Sequence, residues 1–144
     1  MNILDEARNF ISLNISGEKR LKHILSVEKE IIALAKYFEL DDNTTNKLRF
    51  AALMHDITKE FSLSEQIEFL DKRGIEYSEY NIKSPKTLHA ISGAYLAKEL
   101  YPEFVDDEVF GSILYHTTGR VDMTLSEKLI YLADYIEEEE DEDY

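Results

Sequence analysis

Apolar residues recur along this chain at intervals of three and four, and no stretch alternates apolar with polar as a half-buried strand does. Ile3 to Leu13 reads as a first short helix. Ser16-Gly17-Glu18 opens a second, on which Leu21, Ile24, Leu25, Ile32, Ala35 and Phe38 form an apolar stripe. Asp41-Asp42 open a third carrying Leu48, Ala51 and Ala52, and His55 follows those alanines onto the same face. Ser62-x-x-Glu65 has the form of a capping box for a short helix that Gly74 ends. Residues 75 to about 86 are polar and aromatic without period and read as a mobile loop over a site. Ser84-Pro85 suits an N-cap followed by proline at the first helical position. Helices near 87–100 and 106–117 follow, parted by Pro102, and Thr124-x-x-Glu127 caps a last helix from Leu125 to about Ile136. The pattern predicts an all-α globule of about six to eight helices with short links.

Composition changes this picture in two places. The chain has 144 residues, 44% hydrophobic and 32% charged, which suits one globular domain with its own core. Of the formal net charge of −14, half sits in the unbroken acidic run from Glu137 to Asp143. The domain is therefore placed over residues 1–137, with 138–144 as a disordered acidic tail. An acidic balance argues against broad nucleic-acid binding, which needs a basic face, but leaves room for a small phosphate ligand. There is no cysteine, hence no disulfide framework and no thiolate chemistry. The longest apolar stretches, such as Leu129 to Ala133, fall far short of the about 20 residues that a membrane span needs. Met1 to Glu6 lacks the pattern of a signal peptide. A soluble cytoplasmic protein without a membrane partner is the expectation, with a homodimer left open.

The candidate chemistry lies in the histidines. The chain has four, His23, His55, His89 and His116, on four different predicted helices and each near an apolar face; Asp134 falls on a fifth. Asp134 interrupts an otherwise apolar or aromatic stretch, and a buried carboxylate needs a cation or strong donors. His55 and Asp56 are adjacent, and neighbouring helical positions diverge by about 100°, so both reach one point only at a helix end or around a shared ion. Side chains from facing helices are how helical proteins build dinuclear centres. Six such ligands exceed a tetrahedral zinc site and suit two octahedral ions sharing a carboxylate.

The order H…HD…H…H…D resembles that of the HD-domain metal-dependent phosphohydrolases. More narrowly, the chain resembles the YqeK-type HD proteins, symmetrical hydrolases of diadenosine tetraphosphate. The segments that carry the likeness are Arg20-Leu-Lys-His23, Ala52-Leu-Met-His55-Asp56-Ile-Thr-Lys59, Leu88-His89 with Gly93-Ala94, His116-Thr117-Thr118-Gly119 with Met123, and Leu129-Ile-Tyr-Leu-Ala-Asp134-Tyr-Ile136. The resemblance implies that His23, His55, Asp56 and Asp134 hold one metal, and that His89 and His116 hold a second with Asp56 bridging. It further implies two divalent or mixed-valence transition metals, iron foremost, with manganese or cobalt also chemically suited. The family usually continues after the equivalent of Glu137 with a proline, an arginine and a further helix, where this chain has its acidic run.

The implied reaction is attack by a dimetal-activated hydroxide on a phosphoanhydride, with two metals about 3.5–4 Å apart also neutralising the phosphoryl oxygens. ADP then leaves without an obligatory general acid. Asp56 is the expected catalytic residue, with Lys59, one helical turn further on, as catalytic and phosphate-binding partner. Arg20, Thr117, Gly119 and Arg120 complete the expected substrate contacts, and Tyr77 and Tyr80 are candidates to stack on adenine. Two other readings stand beside this one. One is an HD nucleotidase or phosphodiesterase acting on mononucleotides or cyclic nucleotides; the other is a catalytically impaired sensor that binds nucleotide.

Overall fold

A computed structural model describes residues 2–142. Among them are eight helices and no strand: α1 (Ile3–Asn14), α2 (Glu18–Tyr37), α3 (Asp42–Met54), α4 (Leu63–Lys72), α5 (Glu79–Lys83), α6 (Pro85–Leu100), α7 (Asp107–Leu114) and α8 (Leu125–Glu142). The all-α expectation holds.

α3 is the axis of the bundle. Its last five residues, Phe50 to Met54, are buried on every side, because α1, α2, α6, α7 and α8 all pack against it. Two consecutive alanines, Ala51 and Ala52, leave room for neighbouring backbones to come close. A smaller cluster of Phe69, Leu70 and Leu88 fixes α4 to α6. Helix starts follow the sequence signals. Asn2, Asp41 and Asp106 each accept a hydrogen bond from the backbone N–H three residues on, at 2.9, 2.7 and 2.9 Å. The Ser62–Glu65 and Thr124–Glu127 boxes close in both directions. Each such cap contributes about 1 kcal/mol.

Four expectations change. The buried face of α2 is Ile24, Val27, Ile31 and Ala35 with His23 and Glu28, whereas Leu25, Ile32 and Phe38 of the expected stripe are exposed. Glu28 can lie on this face because Arg8 holds it at 2.6 Å and Arg49 at 3.0 Å, leaving no unpaired charge. Within the expected loop, residues 79–83 form α5, started by a Ser78–Asn81 capping box. Ser84 precedes Pro85 at the head of α6 but makes no side-chain cap; its carbonyl instead accepts from the Thr87 N–H and hydroxyl. Finally, α8 does not stop near Ile136: the backbone stays helical through Glu142, across most of the expected tail. Glutamates are good helix formers, and a capped, packed start propagates readily. Asp143 and Tyr144 lie outside the described residues.

Candidate metal centre

The first two turns of α2 bring Arg20 and His23 inward, and α3 ends at Met54 so that His55 is its C-cap. From there the chain winds in tight turns, with Ile57 N–H donating to Met54 O, Lys59 N–H to Asp56 O and Phe61 N–H to Thr58 O. This departure from α-geometry removes the angular divergence of adjacent helical side chains, and His55 and Asp56 reach the same point. α6 supplies His89, the turn after α7 supplies His116, and α8 supplies Asp134. All six side chains are buried.

Asp56 divides the cluster. Its Oδ2 faces His55 Nε2 at 3.4 Å and His23 Nε2 at 3.8 Å; its Oδ1 faces His89 Nε2 at 3.2 Å and His116 Nε2 at 3.7 Å. On the first side Asp134 Oδ1 stands 2.9 Å from His23 Nε2 and 3.1 Å from His55 Nε2. On the second, the Nε2 atoms of His89 and His116 face each other at 3.3 Å. Each group, His23–His55–Asp56–Asp134 and Asp56–His89–His116, draws its ligand atoms within 4.8 Å of one another, close enough to share a metal ion.

Tautomers support that use. His55 Nδ1 lies 2.6 Å from Ala52 O, and His116 Nδ1 lies 2.6 Å from Ile113 O. A carbonyl only accepts, so both Nδ1 atoms carry hydrogen and both Nε2 atoms point inward, the arrangement that fixes a metal-ligating histidine. His89 Nδ1 is buried without a partner among the described residues, so this ring is oriented through its Nε2 and its packing. Lone pairs aimed at carboxylate oxygens repel unless a cation lies between them. In the metal-free protein a proton takes that place on the first side. Burial pushes His55 down, but the Asp56 and Asp134 carboxylates outweigh it and hold the imidazole up at about 9. Burial pushes Asp56 and Asp134 up, yet His55 and the other rings hold both well below the usual carboxylate range. His89 behaves oppositely, held down at about 4 chiefly by burial. The donor set of imidazoles and carboxylates thus fits divalent transition metals.

A polar network secures the second side. Thr58 Oγ donates to His89 O at 3.0 Å and meets Ser92 Oγ at 2.8 Å; Gln66 Nε2 donates to Thr58 O at 2.7 Å, and Ser92 Oγ donates to Gln66 Oε1. It ties α6 and α4 to the turn that carries Asp56.

A cavity of about 90 Å³ opens over the cluster, with Lys59, Lys86, Thr117, Tyr131, Tyr135 and Glu138 as its walls. Of the expected substrate contacts, Lys59 and Thr117 lie on this wall. Arg20 is also at the centre, its Nη1 2.8 Å from Asp56 Oδ2. Gly119 and Arg120 are not on the cavity. Arg120 donates to both carboxylate oxygens of buried Glu127, at 2.9 and 2.6 Å, and lies over the Tyr115 ring. Gly119 takes a positive φ of 67°, so these two residues shape the turn behind His116 and Thr117. Tyr77 donates to Asp71 and Tyr80 is exposed; neither reaches the cavity. Sequence reasoning missed Lys86, Tyr131, Tyr135 and Glu138. Their signal is helical spacing from the candidate ligands: Lys86 lies three before His89, and Tyr131, Asp134, Tyr135 and Glu138 share one face of α8.

The HD domain family pattern matches residues 20–139. The chain is 36% identical over 120 residues to a protein of Halalkalibacterium halodurans named bis(5'-nucleosyl)-tetraphosphatase, symmetrical, covering 83% of this chain and 62% of that one. It is 37% identical to the Bacillus subtilis protein of the same name, with the same coverage. The chain thus spans about six-tenths of the length of the curated relatives it matches. Among solved structures, a Clostridium acetobutylicum protein described as a predicted HD superfamily hydrolase involved in NAD metabolism superposes with a TM-score of 0.83. Its identity is 38%, over 95% of this chain and 70% of that one.

Proposed function

The chain belongs to the HD-domain family, and on that premise we propose that it is a metal-dependent phosphohydrolase that cleaves diadenosine tetraphosphate symmetrically into two ADP. The observation that carries the reading is the division of Asp56, one oxygen toward each group of histidines, beneath a cavity bordered by lysines. The names of the curated relatives, symmetrical bis(5'-nucleosyl)-tetraphosphatases, support this substrate class.

His23, His55, Asp56 and Asp134 would hold one ion, and His89 and His116 with Asp56 the other. When bound, two such ions supply positive charge against the phosphoryl oxygens and acidity for the attacking water. The protein's own groups do the rest. Arg20 holds Asp56 in place through Oδ2, and with its side chain partly exposed it also presents charge to an entering phosphate. The Lys59 ammonium, on the cavity wall, draws the polyphosphate down in a chain whose overall charge repels it. Thr117 offers a hydroxyl at the same wall, and Tyr131 and Tyr135 offer ring faces at its mouth. ADP is a stable enough leaving group that no dedicated proton donor is required. Iron is the metal this reading favours, with manganese or cobalt as chemical substitutes; a cytoplasmic setting belongs to the same reading, and sedimentation decides between monomer and homodimer.

Metal analysis of the purified protein, followed by chromatography of a diadenosine tetraphosphate digest with iron or manganese present, tests the proposal. Two metals per chain and ADP alone are expected. ATP with AMP, or no turnover by fully loaded protein, overturns it.

A further inference from the structure

Beside the cavity over the metal centre lies a second one of about 250 Å³. Phe61, Leu63 and Pro85 form its apolar wall, and it shares Lys59, Lys86 and His89 with the first cavity as a common border. The first cavity measures about 90 Å³, whereas pockets that enclose drug-sized ligands run to about 300–1,000 Å³. The first therefore takes a phosphate group but not a nucleotide, and a dinucleotide must extend past its rim. One way out passes Tyr131 and Tyr135. The other crosses the two lysines into the apolar chamber.

The lysines are the second observation. The chain carries a formal net charge of −14, so two cations together against one cavity run counter to its mean field. The ammonium groups of Lys59 and Lys86 stand at one border with no hydrogen bond or ion pair among the described residues. Such a border suits a multiply charged anion. Behind it, the chamber has little directed polarity to offer. The amide on its wall, Gln66, already donates to Thr58 O at 2.7 Å and accepts from Ser92 Oγ. A wall of phenylalanine, leucine and proline holds a flat ring by its face rather than by its edge.

We infer that the Phe61–Leu63–Pro85 chamber seats one nucleobase of a dinucleoside polyphosphate, and that Lys86 joins Lys59 in carrying the phosphate chain from that base to the metal centre. The inference rests on the substrate class of the preceding subsection and adds where the substrate's far end goes. It also sets specificity. A site that hydrogen-bonds its ligand rejects analogues strongly, whereas an apolar slot discriminates weakly. Adenine and guanine should therefore be held alike.

Calorimetric titration of metal-loaded protein tests this with two probes: inorganic tripolyphosphate, and a diadenosine tetraphosphate analogue with a methylene in place of the central bridging oxygen. Leu63 is the first residue of α4 and part-exposed, so Leu63→Ser leaves the Ser62–Glu65 cap in place. Leu63→Ser should weaken the analogue about tenfold and tripolyphosphate by less than about twofold. Lys86→Ala should weaken both about tenfold. Unchanged binding of the analogue to Leu63→Ser, or equal loss of both probes, overturns the base chamber. Unchanged binding of both to Lys86→Ala overturns the lysine's part. A preference for the adenine over the guanine analogue of more than about a hundredfold overturns apolar recognition. ADP release by the wild type is measured alongside. Its absence with the predicted binding pattern removes the hydrolase reading and leaves the chamber assigned.

Discussion

The two sides of the Asp56 carboxylate are built differently. On one, His23 and His55 meet Asp134 in a corner formed by α2, α8 and the end of α3, where besides the shared Asp56 only Asp134 borders the cavity, with Arg20 on the same Asp56 oxygen. On the other, two imidazoles face each other with a single carboxylate oxygen, beneath an open cavity. The first side offers four protein donors and the second three. Closed sites hold metals and open ones present them to substrate, so the first ion should be the tighter and the second the one that meets phosphate.

The largest effect should come from the shared group. Asp56→Ala should reduce metal content from two per chain to none and abolish turnover, as read by metal analysis; full metal content with a normal rate would remove Asp56 from its place. His89→Ala should separate the sides, retaining one ion while activity falls by about a hundredfold or more. Loss of both ions there would show that the two sides do not load independently.

Lys59→Ala should come next, raising KM about tenfold with metal content unchanged. Arg120→Ala should leave KM alone and lower the melting temperature, because buried Glu127 loses its bidentate partner; a KM effect would return Arg120 to the phosphate path. The smallest effects are pH-dependent and distinguish the sides in chelator-treated protein. His55 is raised to about 9, so its contribution to stability is full below its unfolded value of about 6.5 and lost as pH climbs through about 9. His89 is lowered to about 4, so its contribution is present above about 6.5 and lost as pH falls toward 4. Melting temperatures of metal-free His55→Gln and His89→Gln should each flatten one flank of the wild-type profile. Identical profiles in the two variants would erase the contrast.

Most of the centre was legible in the sequence because its donors are rare residue types. Four histidines and an aspartate inside an apolar helix leave few ways to be placed, and the structure gathers all of them. What stayed hidden depends on pairs. The inner face of α2 includes Glu28, which Arg8 and Arg49 neutralise, and neither lies on the same helix as that glutamate. Arg120 reads as a free cation until Glu127 is seen to fold back seven residues onto it. α5 escaped notice because Asn81, rather than a glutamate or glutamine, closes its capping box. Lys86 carries no pattern of its own; it matters because α6 sets it above His89.

The contact between His23 and Asp134 joins positions 111 residues apart. During synthesis the first side of the centre stays incomplete until α8 has left the ribosome. A nascent chain then presents separate imidazoles of ordinary affinity, open to whichever ion is most abundant. Discrimination among ions belongs to the finished fold, and the protein should acquire its metals as a folded product rather than as a template for folding.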